Sequence, residues 1–306
     1  MTPIQQLMLG TSPGGEEYWI VSDGSMDTSD NIFWHYMHVD GSGNTYVYGE
    51  LVDNNTNPQY YTHVGINKYD AKGNNTFYKR YQYAPKTQTA AGFGVLSNGN
   101  FILGIDCNYT TGGMTAVSSS GVKGWEKNYA SGNANNFKRL NTLMVSSSNR
   151  IIGVEVGATT GNKDIKFWEV NSSGSFVNDW ELSTYSLGTG SNYGATHNCG
   201  TFDSSGNYYL AGRVGGSGTY NSWVCKFNSS NQLQWNNKIG SNGSYHLHKF
   251  NDIVVDSSGN VYLCGSTRSG PTLGWVCKYN SSGVLQWQKK LDHPSGVGNN
   301  VNLYAI

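Results

Sequence analysis

The stretch Phe250-Asn-Asp-Ile-Val-Val-Asp-Ser-Ser-Gly-Asn-Val-Tyr-Leu-Cys-Gly265, continued to Leu291, contains four short apolar, β-prone runs. These are Phe250–Val255, Val261–Cys264, Trp275–Tyr279 and Leu285–Leu291, each closed by a cluster of Gly, Asn, Ser or Asp. Runs of this kind read as strands. The clusters Asp256-Ser-Ser-Gly-Asn260 and Asn280-Ser-Ser-Gly283 read as tight turns, because Asp and Asn side chains bond their own backbone and Gly accepts the positive φ that closes a hairpin. The stretch is therefore a four-stranded antiparallel meander.

Laid along the chain, its first turn recurs at Asp40, Leu96, Ser146, Asp203 and Asp256, at spacings of 56, 50, 57 and 53 residues. The second turn recurs at Asp70, Ser118, Asn171, Asn228 and Asn280, and each copy is followed by a large aromatic: Phe77, Trp125, Trp180, Trp235 and Trp287. An indole repeated once per unit on a last strand fits a wedge between adjacent sheets. Four-stranded units of about 50 residues repeated in this way are the mark of a β-propeller, in which each sheet buries its two apolar faces against neighbours. Upstream, Glu17-Tyr-Trp-Ile-Val21 lines up with a fourth strand; downstream, Leu303-Tyr-Ala-Ile306 lines up with a first strand. The expected fold is an all-β propeller of four-stranded antiparallel blades, with five complete repeats plus a split sixth blade. The two missing strands of that blade are expected from chain beyond Ile306, with a partner chain or a ragged five-blade ring as the alternatives. Residues 17–306 form the propeller and residues 1–16 an N-terminal anchoring segment.

Composition narrows the function. Lys+Arg and Asp+Glu are 20 each, so a phosphate backbone meets no basic footprint and nucleic acid is excluded as a partner. No apolar run reaches the roughly 20 residues that span a bilayer, so membrane insertion is not expected. The five cysteines have no C-x-x-C spacing and read as small buried strand residues.

The Phe250–Gly265 pattern and its weaker copies resemble the bacterial β-propeller repeats called SBBP repeats, a resemblance that covers residues 17–306 and implies fold rather than chemistry. Met1-Thr-Pro-Ile-Gln-Gln-Leu-Met-Leu-Gly10 resembles the start of tail-associated structural proteins of marine, cyanobacterial bacteriophages. Together these imply a virion structural protein, tail-associated or decorating the particle, that contacts host-surface polysaccharide. Its expected location is the virion, its expected partners are other virion proteins held through residues 1–16, and a homo-oligomer fits the same role. The alternative is a bacterial extracellular or cell-surface propeller that binds carbohydrate or protein.

Strand direction sorts the loops. The Asp-Ser-Ser-Gly-Asn and Asn-Ser-Ser-Gly turns share one uniform end; the second-to-third loops and the crossings between blades share the other, variable end. The variable loops, Val52–Tyr61, Asn108–Gly113, Ala158–Asp164, Gly215–Asn221 and Arg268–Gly274 with the crossings, carry Tyr60, Tyr61, Tyr109, Tyr185, Tyr193, Tyr220, Tyr245 and His246 among small polar residues. Tyr in such company is a recognition composition, so these eight are the candidate ligand-binding residues. No catalytic residue, metal ligand or cofactor is expected. The Asp-x-Ser-Gly-Asn turns lack the bidentate Glu of a calcium loop. The one G-x-S-x-G, Gly10–Gly14, has no strand before it or helix after it, and acidic residues are scattered. The chain is not expected to be an enzyme.

Overall fold

A computed structural model describes residues 31–53, 61–81, 88–107, 111–128, 137–157, 165–183, 195–216, 219–239, 248–268, 272–291, 301, 303 and 306. The ten repeated clusters fold as one closed turn. In each, the N–H of the first residue bonds the carbonyl four residues on, and the N–H of the fourth bonds the carbonyl of the first, all at 2.8–3.1 Å. The fourth residue has positive φ in every copy; it is Gly in eight and Asn149 or Asn231 in the other two. In the first, fourth and fifth blades the leading carboxylate is held the same way: Asp40, Asp203 and Asp256 accept backbone N–H groups two and four residues on, an Asn side chain and a Tyr hydroxyl. These bonds hold the Asp40 carboxyl down at about 2, with the Asn44 amide the largest cause.

Between the turns run twenty strands in five sheets of four, each in simple sequence order. The sheets are β1 Asn31–Val39, β2 Thr45–Asp53, β3 Tyr61–Tyr69 and β4 Asn75–Tyr81; β5 Thr89–Val95, β6 Phe101–Cys107, β7 Thr111–Val117 and β8 Lys123–Asn128; β9 Phe137–Val145, β10 Ile151–Gly157, β11 Ile165–Val170 and β12 Phe176–Leu182; β13 Ala195–Phe202, β14 Tyr208–Gly216, β15 Thr219–Phe227 and β16 Leu233–Ile239; β17 His248–Val255, β18 Val261–Arg268, β19 Thr272–Tyr279 and β20 Leu285–Leu291. All pairings are antiparallel. The first strands of successive blades meet, β1 with β5, β5 with β9, β9 with β13 and β13 with β17, and so line the axis.

The second strands show why the blades stack. Successive side chains alternate faces, and both faces are apolar: Phe101, Leu103 and Ile105 pack towards the first blade, Ile102 towards the third. Four buried cores result, one between each consecutive pair of blades. The aromatic column sits at these junctions. A Cβ at Gly174 would lie 2.5 Å from the Trp125 ring and one at Gly283 2.7 Å from that of Trp235, so only glycine leaves room for the indole of the preceding blade. The Trp125 and Trp235 indoles donate to the carbonyls of Ser172 and Ser281, at 2.8 and 3.1 Å. Trp180 instead stacks on Phe167, at 5.2 Å between ring centres. Beside it Arg150 grips Glu169 through two bonds, at 2.8 and 2.7 Å, and donates to the Ser229 carbonyl of the next blade.

Several expectations need correction. Five blades form, and no sixth sheet exists among the described residues; Glu17–Val21 and residues 1–16 lie outside them. Trp287, read as a wedge, is 40% exposed. The loop expected over Gly215–Asn221 is mostly ladder, since pairing continues to Gly216 opposite Thr219; its Gly and Ser content had suggested a loop, but a tight hairpin needs few unpaired residues. The reading of the cysteines as small buried strand residues holds for Cys225, Cys264 and Cys277, which are buried and free.

One feature of every blade has no counterpart in the turn pattern. The pairing of first and second strands shifts register at the same height each time, around His35, Ala91, Asn141, Thr196–Cys199 and Asn251. Such bulges bend a strand and redirect one side chain.

Candidate functional site

Of the eight candidate residues, Tyr60, Tyr109, Tyr185, Tyr193, Tyr245 and His246 lie outside the described residues. Tyr61 opens β3 opposite Asp53, and Tyr220 lies in β15 opposite Gly215. Both backbones therefore stand at the variable end, in strands rather than loops.

The structure adds two groups of titratable side chains that the variable loops did not suggest. The first lies at the variable end, between the second and third blades. Along β6, Asp106 is on the same face as Ile102; along β10, Glu155 is on the same face as Ile151; and Ile102 and Ile151 share one core. The two carboxyls thus enter one interface from opposite sheets. Asp106 is 5% exposed and Glu155 is 1% exposed. Neither Glu155 oxygen has a hydrogen-bond partner among the described residues. Burial, with a smaller contribution from Asp106, pushes the Glu155 carboxyl up to about 8, while Lys166 pulls the other way. Lys166 pairs with Glu155 across the ladder, and its ammonium lies 2.8 Å from Asp179.

Glu50, which counted from its own turn is level with Asp106, has a different environment from Glu155. It accepts the Ala90 N–H of the second blade at 3.1 Å and lies 3.4 Å from His35. One acid ties two blades together; the other is buried with neither oxygen bonded.

The second group lines the axis. Tyr36 on β1 is raised by burial and by the fields of Glu50, Cys199 and Asp252, which brings the first, fourth and fifth blades within electrostatic reach of one another. Burial also raises Asp252, although its oxygens accept the Ile253 and Ile306 N–H groups, at 2.8 and 3.1 Å. With the Asp252 carboxylate satisfied by two backbone N–H groups, this group packs the axis. Glu155 is the group with the unmet valence.

A buried carboxyl that titrates near neutral pH can give or take a proton under working conditions, and such groups concentrate at functional sites. The sequence carried a faint signal: Phe101-Ile-Leu-Gly-Ile-Asp106 and Ile151-Ile-Gly-Val-Glu-Val156 each place one acid inside an otherwise apolar run. No group of three or more His, Cys, Asp or Glu among the described residues is arranged to hold a metal.

Comparison with known proteins places this site in context. Residues 239–271 match the family model described as SBBP beta-propeller repeat. No curated protein matches the sequence. Among solved structures, a protein of unknown function from Dyadobacter fermentans superposes with a TM-score of 0.59 at 9% identity, over 86% of each chain. An ulvan lyase of polysaccharide lyase family PL25 superposes with a TM-score of 0.56 at 12% identity, over 87% of this chain and 71% of that one. The polysaccharide lyase Uly1 gives 0.51 at 8%, over 85% and 72%. At these identities the likeness is one of fold. It corrects the expectation that the chain is not an enzyme: the same propeller fold carries polysaccharide lyases, so neither the fold nor scattered acidic residues exclude catalysis. The fold brings Asp106 and Glu155 to one interface although the sequence scatters them. No comparison supports the bacteriophage resemblance of residues 1–10.

Proposed function

We propose that this chain is a carbohydrate-directed β-propeller, acting outside the cell or at a bacterial surface, that engages a polysaccharide at its variable end. The observation that carries this reading is the Asp106–Glu155 pair: a buried carboxyl with two unbonded oxygens, at the end where the loops differ. Sugar hydroxyls are donors that such oxygens lack, and cleaving a glycan chain calls for a group that exchanges protons near neutral pH. The polysaccharide lyases among its structural relatives agree with this class of ligand. Glu155 is the group placed to give or accept the proton, and the field of Asp106 offsets part of the opposing pull of Lys166 on its carboxyl.

The test is retention of the purified chain on a panel of immobilised anionic and neutral polysaccharides, ulvan included, with release of reducing ends or unsaturated uronyl groups followed in parallel. Glu155→Gln should keep binding and lower product release by about 10²–10⁴-fold if the pair moves the proton. Binding without product from the wild type would make the chain a recognition module. Binding to no polysaccharide would end the reading.

A further inference from the structure

Glu155 stands in a column that the other blades leave uncharged. Nine residues after the start of the first turn they carry Gly49, Ile105, Gly212 and Gly265. These lie opposite Gly65, Gly113, Trp223 and Trp275 on the third strands. The third blade alone has an acid opposite a base there, Glu155 opposite Lys166. Four blades close without such a pair, so the fold itself does not require it.

The pair does not close. Directly opposed residues of an antiparallel ladder have Cβ atoms roughly 4.5–5.5 Å apart, within easy reach of an ammonium. Yet neither Glu155 oxygen has a hydrogen-bond partner among the described residues. The Lys166 ammonium lies instead 5.9 Å from the centre of the Trp168 ring and 2.8 Å from Asp179 on β12, the residue opposite Trp168. Burial explains the choice. The Asp179 side chain is 44% exposed and keeps its charge in water, whereas Glu155, 1% exposed, would first have to ionise inside an apolar interface. Cation–π attraction to the ring holds the ammonium on that path.

Few charged or titratable groups share this face. Among the described side chains they are Asp106 on β6, Lys127 on β8 beside Met114, Lys166 on β11, and Asp179 and Glu181 on β12; β7 has none. Glu181 is directly opposite Lys166.

We propose that Asp179 is a positioning residue for Glu155: it draws the Lys166 ammonium along the Trp168 ring and away from the buried carboxyl. Glu155 is thereby left to hold its proton, as burial favours, although Lys166 pulls against this from across the ladder. The use of this arrangement rests on the proton transfer proposed for Glu155, since a Glu155 bonded to Lys166 would ionise and have no proton to give.

The test follows Glu155 by ¹³C NMR of the full chain labelled at its glutamate carboxyls, the resonance being identified by its loss in Glu155→Gln. In Asp179→Asn combined with Glu181→Gln, β12 offers Lys166 no acid, and the Glu155 midpoint should fall by at least about one pH unit, tenfold in its ionisation constant. In Lys166→Met the midpoint should rise, and adding the two β12 substitutions to Lys166→Met should leave it there. An unchanged midpoint in the β12 variant would overturn the proposal. So would an equal fall in the Lys166→Met background, which would make the shift a field effect of the lost acids. The unsubstituted protein guards against a variant that fails to fold: its Lys166 side-chain resonance should titrate with the Asp179 carboxyl, and titration with Glu155 alone would refute the positioning role. No polysaccharide enters these measurements, so the positioning of Lys166 and the polysaccharide reading can fail separately.

Discussion

Asp40, at the turn end of the first blade, accepts Ser42 and Asn44 N–H groups on one oxygen and the Asn44 amide and Tyr46 hydroxyl on the other, at 2.8–3.0 Å. Glu155, at the loop end of the third, has neither oxygen bonded and is 1% exposed. The first carboxyl is pulled down to about 2 and the second pushed up to about 8. The difference shows where this fold tolerates unmet polarity. The turn end is built from local hydrogen bonds that every repeat can remake from its own sequence. The loop end is assembled by packing sheet on sheet, and there a polar group can be buried without a partner.

The largest effect is expected from Trp235→Ala at the turn end. It empties the seat on Gly283 and removes the bond to the Ser281 carbonyl, and should cost roughly 3–5 kcal/mol in urea unfolding. Polysaccharide binding by the protein that remains folded should be unchanged. A loss below about 1 kcal/mol would mean that the ring is not part of the packing.

Next comes Glu155→Gln, which tests the other end. The folded carboxyl is raised from 4.5 to about 8, so the folded state holds its proton more tightly than the unfolded chain. Below the unfolded value Glu155 is protonated in both states, so its ionisation adds no pH-dependent cost. The cost grows as pH rises between the two values and is complete above about 8, on the order of 5 kcal/mol at most. Stability of the wild type should therefore fall from pH 5 to about 8 and then level off, while the Gln variant loses that slope. Parallel urea midpoints at pH 5 and 8.5 decide it; an unchanged slope would place the titrating group elsewhere.

Asp203→Ala should have the smallest effect, about 1 kcal/mol, because it removes the acceptor of the Ser205 and Asn207 N–H groups in one exposed turn. The thermal midpoint would report it. A loss several times larger would mean that the turn end is coupled to the cores and that the contrast between the two ends is less sharp.

Much of this architecture was legible. The Asp256–Asn260 and Asn280–Gly283 clusters named their turns because the bonds that close them run within five residues. The strands followed from the apolar runs between, with β18 and β19 lengthened at the loop end. The candidate site was much less legible. Tyr61 and Tyr220 were assigned to loops and proved to be in strands, since ladder pairing runs out to Asp53 opposite Tyr61 and to Gly216 opposite Thr219. Asp106 and Glu155 do not share a column of the repeat: counted from their turns, Glu155 is level with Ile105 rather than Asp106. Repeat alignment therefore hides their meeting.

What the sequence determined by itself is what short-range chemistry can specify: the turns, the strands, the count of repeats and the wedge column, each encoded within one repeat of 50–57 residues. Only the tertiary structure decided that Glu155 and Asp106 face one another across the second interface. It also decided that Glu50 accepts a bond from the next blade where Glu155 accepts none among the described residues. These are properties of surfaces brought together from different repeats, and burial acts on a group only once its neighbours in space have closed around it.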